Sequence, residues 1–230
     1  MCTPGLTFVA SNVLDPAKTL DEKYNKFYND EHLPDVLASG LTKLALRYKN
    51  INTESKMPYI ALYPVEDASM TGSEAAVKLI QDTRKSKTFD GEDIYDYINF
   101  DIRRYEKIQT YEAYQQEGRS GNERGRTIIC VGMEPGDEAD FDEWYRKQHL
   151  DMLGMCRGYR RCTRYKNMDD QQPRFLALHE YDCKAEDVPS EQIKQVVATE
   201  WSKKIVGEAK IFDRNVFELI QAQGQTEINL

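Results

Sequence analysis

Apolar positions recur along the chain with two periods, and each change of period marks an element. Residues 7–13 and 127–133 are short runs rich in β-branched and bulky apolar side chains, which predicts a strand at each. A helical period follows both. Phe141, Trp144, Tyr145, Gln148, His149 and Met152 fall on one helix face, and Leu20, Tyr24, Phe27, Tyr28, Glu31 and His32 do the same earlier in the chain. Strict alternation comes next, with Leu44, Leu46 and Tyr48 on one side of a strand and Ala45, Arg47 and Lys49 on the other. Residues 59–63 read as a third strand. A second helix carries Ile193, Val196, Val197 and Trp201 on one face with Ser190 as its N-cap, and its counterpart starts near Ser73 with Ala76, Leu79 and Ile80. Final strands cover 100–108 and 211–220.

The pattern is written twice. Residues 24–50 align without a gap on residues 141–167, with Tyr28, His32, Leu33, Arg47, Tyr48, Lys49 and Asn50 matching Tyr145, His149, Leu150, Arg164, Tyr165, Lys166 and Asn167. Downstream, Tyr59-Ile60-Ala61-Leu62 aligns with Phe175-Leu176-Ala177-Leu178, and 101–108 with 213–220. Each half then has the order β-α-β-β-α-β, the ferredoxin-like arrangement, in which helices cover one sheet face and leave the other to be covered by something else. A second copy in the same chain is the obvious cover. The boundaries expected are 1–111 for the first repeat, a polar, glycine-containing linker at 112–126, 127–222 for the second repeat and a loose tail at 223–230.

Composition narrows the function classes. The chain has 230 residues, 40% hydrophobic and 30% charged, with a formal net charge of −8. An acidic balance argues against a nucleic-acid partner. No apolar run is long enough for a membrane span, and the first residues lack the charge and apolar stretch of a signal peptide, so a cytoplasmic protein is expected. Five scattered cysteines without a CxxC read as reduced, small hydrophobic residues. No P-loop, GxGxxG after a strand, HExxH or GxSxG is present, so neither a nucleotide cofactor nor a metal is implied, and none is expected.

With these residues in view, a resemblance can be stated. The first-helix motif Phe27-Tyr28-x-x-Glu31-His32-Leu33-Pro34, followed by a strand ending Arg47-Tyr48, resembles the EthD-like branch of the dimeric α+β barrel superfamily. The second half keeps His149 but has Asp151 where the proline would stand. The resemblance implies an α+β fold: two ferredoxin-like repeats packed sheet to sheet as an intramolecular barrel, with a small-molecule pocket between each sheet and its own helices. Relatives of that kind include cofactor-free monooxygenases, isomerases, polyketide cyclases and decarboxylases, haem-handling enzymes and stress proteins. A tandem single-chain version is similar to proteins of fungal secondary metabolism.

Candidate chemistry centres on His32. Pro34 is expected to kink or stop the helix, which would leave His32 near a helix C-terminus with a pKa near neutral, suited to proton transfer. The bland alternative is a core histidine bonded to a backbone carbonyl. Tyr28 and Tyr48 are candidates to hold developing oxygen charge, and Tyr24, Tyr63, Arg104, His149 and Tyr145 to line a substrate site, although a chain with 14 tyrosines also uses them for packing. Arg47 and Arg164 read either as carboxylate grips or as salt-bridged side chains. His179 is read as a strand-edge residue. The expected function is a cofactor-independent enzyme of secondary metabolism acting on an aromatic or polyketide-like small molecule by His-mediated proton transfer, as a cyclase, decarboxylase, lyase or isomerase. The alternatives are a non-catalytic small-molecule-binding or stress-response barrel, and a cofactor-free monooxygenase. A homodimer of the pseudo-dimeric chain is the partner considered.

Overall fold

The computed structural model describes residues 2–17, 19–113 and 124–230. The fold is α+β. Its eight strands form an antiparallel, barrel-like sheet in the order β1-β3-β2-β8-β5-β7-β6-β4. Two compact units divide the chain, Met1–Glu106 with Leu219–Leu230, and Lys107–Glu218.

In the first unit, β1 (Gly5–Val13) pairs with both β3 (Tyr59–Val65) and β4 (Ile98–Glu112), and β3 pairs with β2 (Leu44–Asn50). Between β1 and β2 lie α1 (Asp21–Phe27), a π turn at Tyr28–His32 and α2 (Leu33–Ala38). After β3 come a 3-10 turn at Ala68–Gly72 and α3 (Glu74–Asp82), whose N-cap Ser73 accepts from the amide of Ala76 as the sequence suggests. Alternation along β2 and β3 puts Ala45, Ala61 and Tyr63 against the helices, where they join Tyr24, Phe27, Tyr28, Leu33 and Val36 in one core. Leu44, Leu46, Tyr48, Ile60 and Leu62, on the other face, are equally buried.

The second unit repeats the order. β5 (Thr127–Glu134) pairs with β7 (Phe175–Tyr181) and with β8 (Ile211–Gly224), and β7 pairs with β6 (Tyr159–Asn167). The first crossover holds α4 (Glu138–Trp144), capped by Asp137, then a π turn at Tyr145–His149 and α5 (Leu150–Gly154). The second holds α6 (Ser190–Val197) and α7 (Glu200–Glu208). The sequence predicts one helix here with Ser190 as its cap. Instead the chain breaks at Ala198, and Thr199 caps α7 by accepting from the amide of Ser202.

Three expectations differ from the structure. The helix does not stop at Pro34: it runs on as α2 to Ala38, with the proline in the first turn, where its missing N–H costs least. The bend is taken up by the π turn, in which the amide of Leu33 donates to the carbonyl of Tyr28, five residues back. The next amide in register would be that of Pro34, which has none, and the Asn29 carbonyl accepts instead from Gln223 Nε2 at 2.8 Å. His32 therefore sits inside a continuous helix rather than at its C-terminus. Secondly, β4 and β8 are longer than the sequence suggests, and the division between units falls within them; most of the expected linker at 112–126 lies outside the described residues. Thirdly, the expected tail is held: the amide of Gln225 donates to the carbonyl of Lys43, and Leu230 is buried. Among the described residues no helix is long and apolar enough to cross a membrane.

Candidate active site

A cavity of about 110 Å³ opens between the helix-facing side of the first sheet and the helices over it. Its wall is mostly apolar. Val9, Ile102 and Phe100 come from the sheet, Val36 from α2, Leu79 and Ile80 from α3, and Ile94 and Tyr95 from the segment before β4. Into this surface project His32, from the π turn, and Tyr63, from β3. Their rings stand edge to face with centroids 6.4 Å apart. His32 Nδ1 and Tyr63 Oη are both buried and, among the described residues, have no hydrogen-bond partner. Buried polar atoms nearly always find partners, so two such atoms on residues of one apolar cavity are candidates to meet a polar ligand group.

Packing fixes the imidazole. Tyr28 meets it edge on at 5.1 Å and Phe27 lies beside it at 5.5 Å. Burial lowers the His32 pKa to about 4, and the positive charge of Arg47 adds to the effect. The ring is therefore neutral at physiological pH, contrary to the near-neutral pKa expected from a helix C-terminus; desolvation outweighs the helix dipole because the ring is not at a helix end. The Tyr63 phenol is driven well above the ordinary tyrosine value, again first by burial, and stays protonated. A neutral imidazole and a protonated phenol thus line the same cavity.

Other predicted residues occupy different places. Tyr28 lies behind His32, fully buried, with its hydroxyl facing Ser11 and Tyr24 without hydrogen-bonding geometry to either. Tyr24 shares a 2.7 Å hydrogen bond with Ser11 and belongs to the core. Tyr48 is a correction: it stands on the opposite face of β2 from Arg47 and the helices and does not line the cavity, since neighbours on a strand point opposite ways. Arg104 lies on the helix-facing side of β4, in the row of Thr7, and its guanidinium crosses Gly72 so closely that a Cβ there would fall 1.7 Å from one nitrogen. Thr7 and Thr71 line the cavity, so Arg104 stands at its rim.

Arg47 is not a substrate grip. It is buried, with Nη1 donating to Asn29 at 2.7 Å and Nη2 to Asn25 at 2.9 Å, and it stacks 4.3 Å above the Tyr28 ring. Arg164 repeats the pose on Tyr145 at 4.0 Å, paired with Asp142. Glu31, next to His32, turns away to accept from the Ser86 hydroxyl and from the amides of Lys87 and Thr88, anchoring the segment that supplies Ile94 and Tyr95.

The second unit holds a smaller cavity, about 60 Å³, at the same place in its own fold. His149 and Tyr145, which align with His32 and Tyr28, both line it, whereas Tyr28 does not line the first cavity. His149 stacks on Trp144 at 4.0 Å, and its Nδ1 is buried without a partner. The residue that sequence reading missed is His179. It lines this cavity, is 3% exposed, and its Nδ1 shares a 3.0 Å hydrogen bond with the Tyr159 hydroxyl. The signal was present: the alignment ending at Leu62 and Leu178 extends by one residue to pair Tyr63 with His179.

No protein-family model matches the chain. Among curated proteins, it is 27% identical over 199 residues to Core atranone cluster (CAC) protein 1 of Stachybotrys chlorohalonatus, covering 78% of this chain and 82% of that protein. Among solved structures, it is similar to an anthrone oxidase-like protein, with a TM-score of 0.56 at 11% identity over 98% of this chain and 94% of that one. It is also similar to a mutant chlorite dismutase from Candidatus Nitrospira defluvii, with a TM-score of 0.61 at 6% identity over 96% and 93%. At these identities the structural likeness is one of fold alone.

Proposed function

We propose that the chain is a cofactor-independent enzyme of secondary metabolism, an EthD-like tandem barrel that moves a proton on an aromatic or polyketide-like substrate in the first cavity. The observation that carries this reading is the pairing of an unpartnered neutral imidazole, His32, with an unpartnered phenol, Tyr63, on one apolar wall. The relative named for an atranone cluster supports the metabolic setting. Five free cysteines, three of them buried, fit a reducing, cytoplasmic location.

In the proposed step, His32 takes a proton from a carbon next to a carbonyl. The C–H bond breaks, an N–H bond forms, and the electron pair moves to the carbonyl oxygen, where Tyr63 donates a hydrogen bond to the enolate. A base with a pKa of about 4 is weak, so the substrate C–H must be acidic, as it is between two carbonyls or on a benzylic ketone. Imidazolium and enolate then stabilise each other against a mostly apolar wall. Return of the proton to another atom gives isomerisation; attack of the enolate carbon on a second carbonyl of the substrate, whose oxygen takes the electron pair and then the proton from His32, gives ring closure; departure of a group β to the carbonyl with its electron pair gives elimination. Tyr28, Phe27 and Arg47 hold the ring from behind, and Arg104 at the rim meets a polar end of the substrate.

Incubation with a panel of aromatic ketones and β-dicarbonyl compounds, read by mass and isomer analysis under argon, tests the reading. Isomerisation, cyclisation or loss of water without oxygen supports it. Conversion only in the presence of dioxygen would transfer the same first step to a cofactor-free monooxygenase. A compound that raises the melting temperature without being converted would make this a binding barrel.

A further inference from the structure

The second cavity occupies the same position as the first but carries different chemistry. Strand register sets the equivalence. In the first unit Thr7 pairs with Tyr63 and Arg104, and Val9 with Ala61 and Ile102. In the second, Ile129 pairs with His179 and Val216, and Val131 with Ala177 and Arg214. A tyrosine has become a histidine, and an isoleucine in the cavity wall has become an arginine.

Arg214 lines the cavity, and among the described residues no carboxylate lies within ion-pair distance of it. Other arginines of this unit are engaged: Arg146 and Arg164 with Asp142, Arg160 with Asp182, and Arg174 with Glu134. Arg214 is exposed, so its guanidinium, lining an apolar cavity, is open to pair bidentately with a ligand carboxylate. Beside it are two histidines with ring centroids 6.1 Å apart. His149 Nδ1 is buried and unpartnered, and Tyr159 occupies Nδ1 of His179, which leaves Nε2 for another group. Burial keeps both rings neutral, so neither adds charge, and Arg214 alone sets the ligand's sign. The chain carries a net charge of −8, so an anion held here is held by local design rather than by the general field.

We propose that this cavity is a second binding site, for a small organic acid bound as its carboxylate, distinct from the site built on His32. Arg214 pairs with the carboxylate, His149 and His179 donate to it, and the hydrocarbon part lies against Ile129, Val131 and Tyr181. This site stands independently of the chemistry proposed for the first cavity.

The test uses the three histidines of the chain as reporters. Imidazole ¹⁵N spectra, assigned with single His→Gln variants, are followed while sodium benzoate, or benzyl alcohol as its neutral counterpart, is added. Benzoate is expected to shift His149 and His179 saturably and leave His32 in place, with benzyl alcohol much weaker. Arg214→Met is expected to weaken benzoate by about tenfold or more, and Arg214→Lys, which keeps the charge without the fork, by less. His32→Gln is expected to bind benzoate as the unaltered chain does. The proposal is overturned if benzoate shifts no ring or only His32, if benzyl alcohol binds as well, or if Arg214→Met binds benzoate unchanged while its His32 resonance shows an intact fold.

Discussion

In the proposed reaction two atoms, His32 Nδ1 and Tyr63 Oη, form the reactive end of the first cavity. Removing only the phenol oxygen separates charge stabilisation from shape. Tyr63→Phe is expected to lower kcat by about 10²-fold, the scale of one lost oxyanion donor, with little change in KM or melting temperature; unchanged kcat would assign Tyr63 to packing. Burial of the histidines also has a cost in acid. His32 titrates at about 4 and His179 at about 3 in the folded chain, whereas an unfolded histidine titrates near 6.5. Between those values the unfolded chain binds more protons, so stability is fully present above about pH 6.5 and falls as the pH drops, by up to ~1.4 kcal/mol per pH unit for each ring. Urea midpoints at about pH 7.5 and about pH 5 check this: the midpoint falls, and His179→Gln removes part of the fall, whereas a pH-independent midpoint would contradict neutral burial. His32 was legible because helical period and repetition single it out. Tyr48 was misplaced although its strand was read correctly: alternation defines two faces, but nothing local in Leu-Ala-Leu-Arg-Tyr says which face the helices cover. His179 was passed over because its role depends on a partner strand rather than on its own neighbours.

At the scale of elements, the π turns carry the sites. Both are followed directly by a short α-helix, and the second forms with Asp151 at the place of Pro34. Proline is therefore not what makes the turn. Its effect is on one carbonyl, that of Asn29, which accepts from Gln223. Pro34→Ala is expected to change stability by about 1 kcal/mol or less. Gln223→Ala is expected to cost about 1 kcal/mol in the native background and less alongside Pro34→Ala, where a backbone amide can replace the lost donor. A double-mutant cycle by urea unfolding measures the difference, and strict additivity would count against the exchange of donors. The sequence showed where helices begin, through Ser73 and the aromatic period. It could not show a π turn, because an i→i+5 ring leaves the spacing of apolar residues almost unchanged over one helix. The break before α7 was hidden for a related reason: Val197 and Trp201 keep helical spacing across it.

For the whole molecule, strand order was the most legible feature, since alternating and helical periods recur in the same sequence in both halves. Less visible were the ends of β4 and β8, where 107–112 and 221–224 are too polar to read as strand, and where register on a neighbouring strand decides how far pairing runs. The halves keep their first-helix histidine but differ around it: Tyr63 and Ile102 in one cavity, His179 and Arg214 in the other. Retained histidines therefore do not imply retained chemistry, and the proposed proton transfer belongs to the first cavity alone. The most direct test is hydrogen–deuterium exchange at the benzylic carbon of 2-tetralone in D₂O, followed by NMR with the unaltered chain, His32→Gln and His149→Gln. The expected result is catalysed exchange that His32→Gln abolishes and His149→Gln leaves intact. Exchange that survives His32→Gln, or that is lost only with His149→Gln, would contradict it.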